Sequence, residues 1–184
     1  MFVTVFGGSE AKPGEPAYEN ALELGKLLGA AGHSVLTGGY IGVMEAVSRG
    51  VAESGGWVIG VTCDQIEGWR PVRPNRWIHE ERRFATQRQR LFALIEGGEA
   101  AIVMPGGIGT LAELAVMWSH LQTGALAPRP LILVGQEWKK IFEQIFAVFD
   151  YYYPEQHRRW LTFVPDIQTA VQLINQHGKR NHGD

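Results

Sequence analysis

The residues that could do chemistry begin with one stretch, MPGGIGTLAELAVMW, Met104 to Trp118. Gly106, Gly107 and Gly109 stand there between an apolar run and a segment with helical spacing. Glycine lets the backbone turn sharply and lets a ligand come close to main-chain N–H groups. A helix that starts just beyond adds unpaired N–H donors and the positive end of its dipole, a combination suited to phosphate. Glycine pairs also follow two earlier β-rich runs, at Gly7-Gly8 and Gly38-Gly39. Three glycine turns on one side of a sheet suggest a nucleotide or sugar-phosphate site, with tight turning alone as the structural alternative. GIGTLA, Gly107 to Ala112, formally fits G-x-G-x-x-G/A, but the dinucleotide fingerprint belongs after the first strand, and this string comes late in the chain. No G-x-x-x-x-G-K-[ST] occurs, which argues against P-loop hydrolysis of ATP or GTP.

The turns need elements to bring them together. Strands are predicted at FVTVF (2–6), HSVLT (33–37), WVIGVT (57–62), AAIVM (100–104), PLILV (130–134) and TFV (162–164). Helices are predicted at 18–30, 43–54, 80–96, 110–123, 138–150 and 167–176, with a long loop over 64–78. Strands that are apolar nearly throughout and alternate with helices indicate a mainly parallel sheet covered on both faces. The expected fold is a single doubly wound α/β domain over residues 1–176, followed by a frayed tail, 177–184. Such sheets bind ligands beyond the carboxyl ends of their strands, where all three glycine pairs fall.

Composition narrows the function classes. A chain of 184 residues suits one compact domain, and its net charge of −2 argues against a general nucleic-acid binder. No apolar run reaches the roughly 18 residues of a membrane span, and the start, MFVTVFGGSE, reads as a strand rather than a secretory signal. One cysteine, Cys63, and scattered histidines offer no metal cluster. The expectation is a cytoplasmic protein without metal or cofactor.

The longer string PGGIGTLAE, Pro105 to Glu113, resembles the PGGxGTxxE signature of the LOG family, Rossmann-like proteins that include cytokinin-activating phosphoribohydrolases. GGYIGVMEAVSRG, from Gly38, resembles that family's second glycine loop and helix, and VFGGS its first loop. The resemblance implies cleavage of the N-glycosidic bond of an AMP-like nucleoside 5′-monophosphate to free base and ribose 5-phosphate. Glu113 would then stabilise the positive charge that builds on the ribose and orient or deprotonate the water, as carboxylates do in glycoside hydrolysis. The phosphate would be held by Gly8, Ser9, Gly38, Gly39, Gly42, Gly106, Gly107, Ile108, Gly109 and Thr110. Thr110 followed three residues later by Glu113 is equally a capping box at a helix start. Family members are commonly dimers, and the side of the helix carrying Met117, Trp118 and Leu121 could serve a two-fold contact.

The family also carries an Arg-Lys pair on the helix before the signature strand, its arginine implicated in catalysis. Here the matching segment reads ATQRQRLFAL, with no lysine. Arg88 with Gln89, or Arg90 with Leu91, could stand in that place. At about 100° per residue Arg88 falls within the stripe of Phe84, Leu91 and Ile95, which favours Arg88 as the inward, active arginine. Seven arginines between Arg70 and Arg90 form either a basic rim that steers anions or a solvated, ion-paired face. Trp69 and Trp77 could stack on a base. The alternative function is a non-catalytic carrier of a nucleotide or phosphorylated cofactor, similar to the related molybdenum-cofactor carriers. Lysine decarboxylation needs pyridoxal phosphate on a lysine, and none of the five lysines lies in a glycine loop.

Overall fold

A computed structural model of the chain describes residues 1–181. Among them lie seven strands, all parallel: β1 (Phe2–Phe6), β2 (Ser34–Thr37), β3 (Val58–Cys63), β4 (Glu80–Phe84), β5 (Ala100–Val103), β6 (Leu131–Val134) and β7 (Thr162–Val164). The helices are α1 (Pro16–Ala30), α2 (Val43–Glu53), α3 (Asp64–Trp69), α4 (Gln87–Glu96), α5 (Ile108–Thr123), α6 (Gln136–Val148), α7 (Glu155–Arg158) and α8 (Ile167–Asn181). A 3-10 turn spans Asp150–Tyr152. This is the doubly wound, Rossmann-like α/β fold expected. No helix among the described residues is long and apolar enough to cross a membrane.

Alternation along each strand builds the two layers. Val3, Val5 and Val35 point into a core shared with Leu24 and Leu28 of α1, Val47 of α2 and Ile174 of α8. Phe6 and Leu36 point the other way, into a core shared with Leu94 of α4, Leu114 of α5 and Phe142 of α6. Met117, Trp118 and Leu121 belong to this second core. The indole Nε1–H of Trp118 donates to the His157 carbonyl at 2.8 Å. Those three side chains are therefore internal packing and not the dimer face that their apolar character suggested.

The strand order β4-β3-β2-β1-β5-β6-β7 decides where a ligand can sit. From β1 the chain winds outward through β2, β3 and β4, then returns to lay β5 on the other side of β1. The loops leaving β1, β2 and β5 thus diverge around one crevice, the switch point at which doubly wound sheets bind ligands. These are the three glycine loops.

The segment predicted as one helix, 80–96, is two elements. Residues Glu80–Phe84 pair with β3 as the sheet's edge strand, and helix begins only at Gln87. The edge position explains the charged sequence EERRF. Its outward groups meet water and partner carboxylates, a common way to blunt a sheet edge. Thr86 then caps α4 through a reciprocal capping box with Gln89. Part of the predicted loop over 64–78 is α3. At the C-terminal end α8 continues through Asn181, so 177–181 of the expected tail are helical, and 182–184 lie outside the described residues.

Candidate functional site

Main-chain contacts weld the three glycine loops to one another. The Gly8 N–H donates to the Pro105 carbonyl at 3.1 Å, and the Val43 N–H donates to the Gly8 carbonyl at 2.9 Å. Gly42 has φ +74°, and a Cβ there would stand 2.5 Å from the Gly8 carbonyl oxygen, so both conformation and space demand glycine. The Gly39 N–H is spent on Thr37 Oγ1. The amides of Gly8 and Gly39, expected to face a ligand, instead tie loops down. The amides of 106–110 behave otherwise. Gly107 caps α5 without a side-chain partner, and the N–H groups of Gly106, Gly107, Ile108, Gly109 and Thr110 find no acceptor among the described residues. Ile108 offers only its main chain, the residue being 83% exposed, whereas the Thr110 side chain is buried against Gly106.

Because α5 starts at Ile108, Thr110 is its third residue and not its cap. The capping-box reading of Thr110 and Glu113 therefore fails, and Glu113 sits one turn into the helix. Its side chain is 13% exposed and receives no hydrogen bond among the described residues. Burial pushes its carboxyl up from 4.5 to about 7, opposed by the nearby Arg90 guanidinium.

Arg90, not Arg88, is the inward arginine. Its Nε donates to the Val61 carbonyl at 2.7 Å, its Nη2 to the Gly38 carbonyl at 3.0 Å, and its Nη1 lies 3.8 Å from Glu113 Oε1. The guanidinium also packs over the Tyr40 ring at 5.6 Å. A Cβ at Gly38 would overlap Arg90 Nη2, so glycine there makes the seat for the guanidinium. Arg88 is exposed and lines an open groove of about 840 Å³ on the outer side of α4, with Phe84, Thr86 and Phe92. The helical stripe misled because it was anchored on Phe84, which belongs to β4. Within α4 itself the buried positions are Arg90, Leu94 and Ile95. Gln89 is occupied by the Thr86 cap, and Leu91 packs against the second core.

Of the remaining arginines in this run, Arg73 is exposed. Arg82 pairs with Glu80, and Arg83 with Asp64, Glu67 and Glu81, as an ion-paired face would. Trp77 lies under Arg49 and Arg76, while Trp69 is 78% exposed. Tyr40 was not picked out from the sequence. Its hydroxyl donates to the Cys63 carbonyl at 3.1 Å and accepts from the Cys63 N–H at 2.8 Å, which fixes the ring beneath Arg90. Its place inside GGYIG was the available signal. Ser9 accepts from Arg70, a contact between segments far apart in the chain that no local pattern announces.

Comparison with known proteins bears on this arrangement. Residues 44–174 match the family model described as "possible lysine decarboxylase". The chain is 36% identical over 179 residues to the rice protein named cytokinin riboside 5′-monophosphate phosphoribohydrolase LOG, covering 95% of this chain and 73% of that one. It is 29% identical to the Rhodococcoides fascians protein named cytokinin riboside 5′-monophosphate phosphoribohydrolase, covering 94% and 88%. Among solved structures, the molybdenum cofactor binding protein of Rippkaea orientalis superposes with a TM-score of 0.74 at 21% identity, covering 97% of each chain. That likeness shows the fold. The family match spans Arg90 and Glu113, and on these sequence matches the chain belongs to the LOG family.

Proposed function

We propose that the protein is a nucleoside 5′-monophosphate phosphoribohydrolase. The observation that carries the reading is Glu113: a buried carboxyl without a hydrogen-bond donor, held 3.8 Å from a fixed guanidinium, one turn beyond five uncommitted amides. A phosphate on the amides of 106–110 brings its ribose alongside Glu113. Breakage of the C1′–N bond leaves positive charge on the ribose, which the carboxylate stabilises. Water adds its oxygen to C1′ as its proton passes to Glu113, and that proton is then handed to the nitrogen that held the sugar, so the base leaves neutral and the carboxylate is restored. Arg90 keeps the acid's charge balanced while its other N–H groups hold the β2 and β3 ends in place. Relatives named for this reaction support the same reading.

Incubation with AMP, GMP, CMP and UMP, followed by chromatography for free base and ribose 5-phosphate, tests it. Release of base from at least one nucleotide, lost in Glu113→Gln, is expected. Tight nucleotide binding with no base released would support the carrier reading instead, which one observation favours: Leu91 is apolar where the family has lysine. We infer a homo-oligomer as well. The exposed Ile108 and Leu111 on α5 suit a two-fold contact, and sedimentation velocity reads the assembly directly.

A further inference from the structure

A phosphomonoester carries close to two negative charges at neutral pH. Helix α5 offers it five amides and the partial positive charge of a helix start, roughly half a unit. Arg90 adds little to that sum, because two of its nitrogens are committed to carbonyls and the third faces Glu113. Burying the anion needs a further cation. Among the arginines of 70–90, Arg82 and Arg83 are ion-paired on the sheet edge, Arg76 lies over Trp77, Arg73 is exposed with no hydrogen bond to the glycine loops among the described residues, and Arg88 is on the outer side of α4.

Arg70 stands apart from these. It follows α3 directly, and its Nη1 donates to Ser9 Oγ at 3.2 Å. Its Nε–H is buried and has no partner. The indole of Trp69 lies 5.7 Å from the guanidinium. Ser9 follows Gly8, whose N–H reaches the Pro105 carbonyl next to the open Gly106 amide. A Cβ on Gly42 would come within 2.6 Å of Ser9 Cα, so Ser9 lies where the first and second loops touch. The guanidinium is thus moored to the first glycine loop, at the mouth of the crevice, with donor capacity left over.

We propose that Arg70 is a specificity-determining residue of this site, its guanidinium taking an oxygen of the substrate's 5′-phosphate across from the α5 amides. It selects nucleotides over nucleosides and supplies the cation that the α5 amides lack. The inference rests on the reading of this crevice as a phosphomonoester site, but not on turnover.

Calorimetry tests it, with ribose 5-phosphate titrated into the wild-type chain, and AMP and adenosine titrated into Glu113→Gln so that no base is lost. Adding Arg70→Gln should weaken ribose 5-phosphate and AMP by about 10- to 100-fold and leave adenosine unchanged, with Arg70→Lys between. In turnover, KM rises and kcat stays, as for a contact equal in ground and transition states. An unchanged ratio of AMP to adenosine affinity in either folded variant overturns the proposal, as does an equal loss for both ligands, which would make Arg70 merely structural. If the wild type releases no base yet Arg70→Gln loses ribose 5-phosphate, the hydrolase reading falls and the assignment of Arg70 stands.

Discussion

Glu67 and Glu113 are the same residue at nearly the same exposure, 11% and 13%, each beside an arginine. Glu67 accepts from Arg83 at both oxygens, at 2.9 and 3.0 Å, and lies 3.3 Å from the Tyr40 hydroxyl. Glu113 accepts nothing, and its arginine stops 3.8 Å short. The first carboxylate is saturated and ties β4 to α3. The second keeps its lone pairs and sits in surroundings that resist its charge. Satisfaction, more than burial, separates the two carboxylates, and the unsatisfied one is the acid that the proposed reaction uses.

The matched substitutions break the pair most sharply. Glu113→Gln should lower base release by about 10²- to 10⁴-fold, measured as initial rate at saturating nucleotide, with circular dichroism unchanged because Glu113 caps nothing in α5. Arg90→Ala comes next. It strands the Val61 and Gly38 carbonyls and the buried carboxyl, so denaturant unfolding should show a loss of about 3 kcal/mol. It should also drive Glu113 above its value of about 7, since Arg90 is the group that holds it down.

The pH dependence follows with a definite sign. Below pH 4.5 both native and unfolded chains keep the Glu113 proton. Between 4.5 and about 7 the unfolded chain releases it first, so stability falls as pH rises and levels off above about 7. That loss amounts to at most about 3 kcal/mol, visible as a slope in unfolding free energy that Glu113→Gln abolishes. Over the same window kcat/KM should rise with pH, because the ionised carboxylate is the working form. The smallest effect belongs to Glu67→Gln. Arg83 keeps Asp64 and Glu81 as partners, so the melting temperature should move by about 3 °C or less and base release not at all.

Much of this was legible from the chain. Near-continuous apolar runs such as AAIV and LILV, alternating with amphipathic stretches, gave a parallel, doubly covered sheet. The glycines marked the three loops, and the string ending in Glu113 marked the acid. What failed was phase and pairing. EERRF carries no strand periodicity, because as an edge strand it buries little, and merging it with α4 put the apolar stripe on the wrong side. The sequence holds two similar cap signatures, Thr86 to Gln89 and Thr110 to Glu113, and only the first caps a helix. The choice depends on where β4 and β5 stop, a tertiary matter that spacing does not encode. Contacts such as Arg70 with Ser9 join distant segments and leave no local trace.

Gly38 has a reach its plain appearance hides. A single methyl group there would stand 2.0 Å from Nη2 of a side chain that arrives 52 residues later and force it to shift, although that arginine and the whole PGGIGTLAE string would remain to be read. Relatives that have lost turnover need not have lost any residue usually inspected for it. Alanine at this one position would disturb the seat of Arg90, and a survey of natural variants should look there as well as at the signature.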